Sequence, residues 1–270
     1  MQFSVLMPVY HGDKVIHIKE ALNSVLSQTL LPSEVVIIVD GPVSNETIDL
    51  LHDISINQSV LSVHYLEENK GLGEVLHIGV KICSYDVIAR MDADDICRKD
   101  RFEKQIHFLK NNPDIDIVGS YIDEFDTDPS VKLNVRKVPV YHNEIVHYSK
   151  RRNPLNHMTV MFKKQAVLDS GNYQTFISFE DYYLWVRMIK NGMKIHNIPE
   201  SLVFARAGQD MYMRRGGFKY LLNDVKLQWY FLVMGHTNFI QYISNILIRL
   251  LVRTVPNNIR SVLYSKLLRS

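Results

Sequence analysis

The sequence is short of cysteine, of long apolar runs and of charge of one sign. Cys83 and Cys97 are the only cysteines in 270 residues, and neither stands in a Cys-x-x-Cys pair. A zinc knot is therefore not indicated, and two cysteines make no disulfide framework, which fits a reducing compartment. No predominantly apolar run reaches the roughly 20 residues of a membrane-spanning helix. The opening MQFSVLMPVY lacks the basic start and long apolar centre of a secretory signal. Lys and Arg number 31 against 29 Asp and Glu, a net charge of +2, so general affinity for nucleic acid is not expected. No internal repeat and no low-complexity tract is present. Acidic residues are missing altogether after Asp224, although Lys226, Arg249, Arg253, Arg260, Lys266 and Arg269 follow it.

What is present is ordinary globular material, 46% hydrophobic and 22% charged, enough for a full core. Apolar runs at 3–9, 34–39, 64–66 and 87–91 alternate with segments of helical spacing. Pro8 argues that the first strand leaves the sheet near its end. The run 34–39 is β-branched throughout, as expected where both faces are covered. Ile18, Ala21, Leu22 and Val25 mark the first helix. Asn45 is placed to cap the second, with Ile48 and Leu51 inward. The alternation predicts an α/β fold with helices packed on a mostly parallel sheet. Further on, helices are expected at 100–109, 164–168 and 179–190, and strands at 115–120, 157–162 and 195–198. The polar stretch 121–138 reads as a hairpin or loop, and 206–217 as a mobile polar loop. From Phe218 the chain reads helical.

The chemistry concentrates in residues 87–96, VIARMDADDI, an apolar strand ending in Asp92, Asp94 and Asp95. Open α/β sheets place ligands at such strand ends. Three carboxylates this close repel one another unless a cation or hydrogen-bond donors compensate. Oxygen-only ligands suit Mg²⁺ or Mn²⁺, which bind through one or two carboxylates plus substrate phosphates. A solvated acidic turn capping the next helix would read the same way. Asp40 ends the second strand. Asn69-Lys70-Gly71-Leu72-Gly73 opens a helix, either as a phosphate cradle or as a tight turn, and it is neither a Walker loop nor a Rossmann fingerprint. Glu180 and Asp181 lie in the first turn of a helix, where the dipole favours acids in any protein. In a parallel sheet these features share one edge. A metal, a glycine turn and a separate carboxylate pair there suit a diphosphate substrate and the deprotonation of a nucleophile.

In this order and spacing the motifs resemble those of family 2 inverting glycosyltransferases of the GT-A nucleotide-sugar fold, over roughly residues 3–217. The carriers are SVLMPVY at 4–10, Val39-Asp40-Gly41, Asn69-Lys70-Gly71, Asp92-Ala93-Asp94 and Glu180-Asp181. The resemblance implies that Pro8 and Tyr10 line the nucleotide pocket, that Asp40 hydrogen-bonds the uracil, and that Asn69, Lys70 and Gly71 lie near the nucleotide. It implies that Asp92 contacts ribose or donor sugar, that Asp94 binds Mn²⁺ or Mg²⁺ at the diphosphate, and that Asp95, a nucleotide-sugar-binding residue, supports the sugar or the metal shell. Asp181 would be the catalytic base and Glu180 its neighbour. The Gln-x-x-Arg-Trp motif of processive members is missing, which implies transfer of one sugar per acceptor. The implied reaction moves glucose or galactose from a UDP-sugar to an N-acetylhexosamine on a polyprenyl diphosphate, with a β-linkage, in O-antigen or capsule assembly. Two other readings stand beside it: a sugar-nucleotidyltransferase and a non-catalytic nucleotide-sugar-binding protein.

The expected organisation is a catalytic domain at 1–217, its nucleotide-binding half at 1–97 and its acceptor half at 98–217, followed by a basic helical extension at 218–270. Arg206, Arg214 and Arg215 suit a clamp on a diphosphate, or a solvated basic loop. His157 reads as a structural histidine, though the resemblance places it near the pocket, on the acceptor side. In the extension, Phe239, Ile243, Ile246, Leu247, Leu250 and Leu251 form an apolar stripe with Arg249 and Arg253 beside it. Such a helix suits the inner face of a bacterial inner membrane, giving a peripheral cytoplasmic protein. Packing on the catalytic domain, or on a second subunit of a homo-oligomer, would read alike.

Overall fold

The computed structural model of the protein describes residues 1–207 and 218–254, so most of the polar loop expected at 206–217 lies outside the described residues. The first part alternates strictly: β1 (Ser4–Tyr10), α1 (Val15–Leu26), β2 (Glu34–Asp40), α2 (Asn45–Asn57), β3 (Leu61–Tyr65), α3 (Leu72–Ile82) and β4 (Val87–Arg90). These four strands are parallel, in the spatial order β3-β2-β1-β4. The period of two explains the two-sided core. Val5, Met7 and Val9 point to a cluster with Ile18, Leu22 and Phe102, whereas Leu6 joins Val36, Val75, Leu76 and Trp185 on the other face.

Beyond β4 the sheet becomes mixed. β5 (Ile96–Cys97), α4 (Arg101–Asn111), β6 (Ile117–Phe125), β7 (Asn134–Arg136), α5 (His142–Tyr148), β8 (Met161–Lys163), α6 (Lys164–Asp169), α7 (Glu180–Lys190) and β9 (Ile195–Arg206) follow. The order continues β4-β8-β6-β9-β5, with β8 antiparallel to both neighbours and β9 parallel to β6. His157–Thr159 is a 3₁₀ turn rather than the start of a strand. Both cysteines are buried and free, and burial pushes the Cys83 thiol up to about 12.

Three local expectations need correction, and the stretch 121–138, read as hairpin or loop, is the hairpin. Pro8 does not take β1 out of the sheet: it pairs with Ile38, and the strand runs on to Tyr10. Pairing with β4 stops at Leu6, so the flank of β1 opposite β2 needs no further ladder bond at Pro8. Helix α2 is capped by Ser44, whose Oγ accepts from the Thr47 N–H at 3.2 Å, and Thr47 rather than Ile48 faces inward. The residues 121–125 extend β6, and β7 returns along it as a hairpin; the buried Asp123 there is matched by Lys132 at 2.8 Å. Finally β9 runs 12 residues, not four, with a register shift around Pro199-Glu200 that interrupts its apolar pattern.

Of the C-terminal helices α8 (Phe218–Val233) and α9 (Phe239–Thr254), α8 packs on α7 and the segment before it through Leu227 and Phe231 against Phe176, Phe179, Tyr182 and Val186, and α9 packs on α8. The side that α9 turns inward is polar. Arg249 pairs with Asp224 at 2.6 Å, and Asn245 donates to Gln228 at 2.8 Å and to the Lys150 carbonyl at 2.7 Å. Arg249 also donates to the Arg151 carbonyl at 2.9 Å, so it is buried inside and not beside the apolar stripe. The apolar residues face out: Phe239 is 65% exposed, Ile240 79% and Leu247 61%. No described helix is long and apolar enough to cross a membrane.

Candidate active site

The C-terminal ends of β1, β2 and β4 open on one cleft of about 590 Å³. It is lined by Pro8, Tyr10, Asp40, Asn69, Gly71, Asp92, Asp94, Asp95, His157, Glu180, Asp181 and Arg206, together with Arg90. Lys70 is exposed and does not line it. Arg214 and Arg215 lie outside the described residues.

Asp40 has a definite task in the fold. Its carboxylate accepts from the Lys70 N–H at 2.7 Å and the Gly71 N–H at 3.0 Å, which bends residues 69–71 into the start of α3. Gly71 sits at φ +81° with open space where a Cβ would stand, so only its backbone conformation demands glycine. Gly41 at φ +78° is required twice over, since a Cβ there would meet the Asn69 nitrogen at 2.5 Å. The Asp40 side chain that the resemblance aims at a base is thus already engaged by the turn, with each oxygen keeping a second lone pair.

The acidic cluster is compensated from two sides. Arg90, buried at the end of β4, forms a two-pronged ion pair with Asp92; one of its hydrogen bonds measures 2.5 Å. Burial works against the Arg90 charge, but Asp92 holds its pKa above the ordinary value. Arg206 ends β9 rather than lying in a loose loop. Its backbone N–H donates to Asp95 at 2.8 Å, its Nε to the Asp94 carbonyl at 3.1 Å, and its Nη2 pairs with Glu20 at 2.8 Å. With Nη1 on the Asp126 carbonyl at 3.2 Å, all three guanidinium nitrogens bind protein groups, so Arg206 braces the Asp94–Asp95 turn from the wall of the cleft. Arg90 was not singled out from the sequence; a lone arginine closing an apolar strand just before the acids is the signal it gave.

Asp92, Asp94 and Asp95 bring carboxylate oxygens within 4.8 Å of one another. Burial, then Asp92, pushes Asp94 up to about 6, and burial with Asp94 raises Asp95 well above its ordinary value. Asp95 Oδ2 is buried with no hydrogen-bond partner. An orphaned carboxylate oxygen among hard oxygen donors fits a divalent cation.

Glu180 and Asp181 begin α7 across the same cleft. Asn153 donates to Asp181 Oδ2 at 2.5 Å, and the Tyr182 N–H to Oδ1 at 2.7 Å. Burial raises the Asp181 pKa despite these donors, and burial with the Asp181 charge pushes Glu180 up to about 7. His157 bonds the Tyr173 hydroxyl at 3.0 Å; burial and Arg90 hold its pKa well below the usual histidine value, so it is neutral. A second cavity of about 160 Å³ lies beyond Asp181, His157 and Ser178, which line both. Its other walls include Arg136, Arg151, Arg152 and the Asp224–Arg249 pair. None of Arg136, Arg151 and Arg152 was marked from the sequence, because they are separated along the chain from any motif.

The profile of glycosyl transferase family 2 matches residues 4–171, more than half of the chain. The chain belongs to glycosyl transferase family 2. This family 2 glycosyltransferase is 37% identical over 264 residues to the amylovoran biosynthesis glycosyltransferase AmsE of Erwinia amylovora, covering 98% of both chains. It is equally 37% identical over 268 residues to the UDP-Gal:alpha-D-GlcNAc-diphosphoundecaprenol beta-1,3-galactosyltransferase of Escherichia coli, covering 99% of this chain and 97% of that one. Among solved structures it superposes on S. aureus TarS 1-349 in complex with UDP-GlcNAc with a TM-score of 0.69 at 18% identity, over 92% of this chain and 72% of that one. The mannosyltransferase PcManGT from Pyrobaculum calidifontis, solved with GDP-Man and Mn2+, gives 0.65 at 15% identity, over 98% and 73%. These likenesses carry the GT-A fold. Family membership sets aside the nucleotidyltransferase and the non-catalytic binder.

Proposed function

We propose that this glycosyltransferase moves one hexose, galactose or glucose, from a UDP-sugar to an N-acetylhexosamine carried on a lipid diphosphate, and that it inverts the anomeric centre to a β-linkage. The observation that carries the reading is a single cleft lined by both the Asp92–Asp95 cluster and the Glu180–Asp181 pair. The full-length likeness to a galactosyltransferase named for a diphosphoundecaprenol acceptor supports the substrate class.

In this reading Pro8, Tyr10, Asn69 and Gly71 border the nucleotide, with Lys70 at its exposed rim. Asp94, with Asp95 supporting it, would hold Mn²⁺ or Mg²⁺, while Asp92, neutralised by Arg90, faces the sugar. A divalent cation bound there supplies positive charge against the diphosphate of the leaving UDP. Asp181, oriented by Asn153, takes the proton of the acceptor hydroxyl as its oxygen bonds to the anomeric carbon and the bond to UDP breaks on the opposite face. A carboxyl whose pKa is raised by burial is a better proton acceptor than a free one. The catalytic unit comprises 1–217, and 218–270 attaches it to the cytoplasmic face of the membrane. Trp229 of α8 packs edge-on to Tyr242 of α9, so the outward apolar residues of the two helices adjoin and can lie in the lipid interface.

Incubating the protein with Mn²⁺, a panel of UDP-hexoses and a lipid-diphosphate-linked N-acetylhexosamine tests this. UDP release and a β-linked disaccharide from UDP-galactose or UDP-glucose are expected; an α-linked product, or no UDP from any hexose donor, overturns it. Deletion of α9 is a poor test of the membrane contact, because Asn245 and Arg249 go with it. The double substitution Ile240→Lys with Leu247→Lys leaves the inner face whole and should abolish flotation with anionic vesicles.

A further inference from the structure

We propose that the arginine-lined cavity beyond Asp181 seats the diphosphate of the acceptor. The acceptor's identity rests on the function proposed above, whereas the anion site follows from the placement of the arginines around the cavity. Arg136 comes from β7, and Arg151 and Arg152 from the turn after α5; all three line the cavity. The Arg249 charge is matched by Asp224. Among the described residues the lining also brings together three further guanidinium groups, Arg136, Arg151 and Arg152, beside Asp181. Guanidinium forks match phosphate oxygens in shape and charge. At about 160 Å³ the cavity falls below the size of a site for a whole nucleotide and suits a small anionic group.

Its position fits the order of groups along one acceptor. Asp181 stands on the border of the two cavities, so a sugar whose hydroxyl reaches Asp181 from this side extends its anomeric diphosphate among the arginines. One turn does two tasks: Arg151 and Arg152 line the cavity, and the next residue, Asn153, orients Asp181. That turn is held from behind by Arg249 on the Arg151 carbonyl, hence by α9, whose opposite face is the apolar one. A lipid chain leaving the diphosphate therefore exits toward the helices that carry the exposed apolar residues.

The test uses three water-soluble acceptors with one short alkyl chain: the N-acetylhexosamine α-diphosphate ester, the α-monophosphate ester and the neutral glycoside. The full-length protein is expected to prefer them in that order. In the Arg151→Ala/Arg152→Ala double variant the acceptor KM for the diphosphate ester should rise by about tenfold per arginine, the usual scale of a charge-assisted hydrogen bond. Its preference for diphosphate over neutral glycoside should shrink by the same factor, and Arg151→Lys/Arg152→Lys should restore part of it. The proposal is overturned if the KM does not move, if all three acceptors lose alike, or if UDP affinity falls while the acceptor KM stays, which would assign the arginines to the donor. Failure of the function reading would show separately, as a wild-type protein that makes no product from the diphosphate ester. Calorimetry with octyl diphosphate then still decides the cavity, since the wild type must bind it more tightly than the double variant.

Discussion

The two cavities that meet at Asp181 are walled by opposite charges. The larger is built at parallel strand ends from the half-buried Asp92 and Asp94 and the buried Asp95, acids only partly compensated through Arg90 and the Arg206 N–H. The smaller is built from scattered arginines of β7 and the turn after α5. In the proposed reading an anionic diphosphate enters the first with a cation and meets the guanidinium groups of the second directly, so that the two diphosphates are told apart.

Removing the group where the cavities meet challenges this contrast most strongly. Asp181→Asn should lower kcat by about 10²–10⁴, the range of general-base contributions, with both KM values near those of the wild type. Steady-state kinetics checks this, and a near-normal kcat would detach the base from both cavities. Next in size is Arg90→Met. Removing one member of a buried ion pair leaves the other uncompensated, and here Asp92 would join two more carboxylates. A loss of about 3 kcal/mol in urea unfolding is expected, the low end for such pairs because Asp92 is partly exposed. Asp92→Asn in the same chain should recover part of it; no loss in the single variant would mean that the acids are compensated elsewhere.

The smallest effect concerns pH. A general base works in its deprotonated form, so kcat/KM falls as pH drops through the pKa of Asp181. The Asn153 amide favours the charged form of that carboxyl, against the burial that disfavours it. Asn153→Ala should therefore move the acid limb of the profile to higher pH without changing its plateau greatly. A limb that stays in place, or moves down, would assign it to another group.

The two regions also differed in how far they could be read in advance. The first half was legible because its strands are short apolar runs, its helices follow at helical spacing, and its acids fall where strands end. The other half hides its order. Pro199-Glu200 breaks the pattern of β9 at a register shift, and the buried Asp123 made the end of β6 look like a loop. Arg206 looked like a ligand clamp because its partners, Glu20 and the Asp94 and Asp126 carbonyls, lie far away in sequence. The stripe on α9 was visible, but not its direction: Asn245 and Arg249 turn inward, and the apolar residues outward. Arg90, Arg151 and Arg152 gave no motif at all, since what defines them is the charge they meet across space.

The decisive measurement is calorimetry of UDP and of octyl diphosphate on the same full-length protein, with Mn²⁺ and then with chelator. UDP affinity should collapse without the cation while octyl diphosphate affinity holds. Equal loss of both, or UDP binding that ignores the chelator, would refute the division of labour between the two cavities.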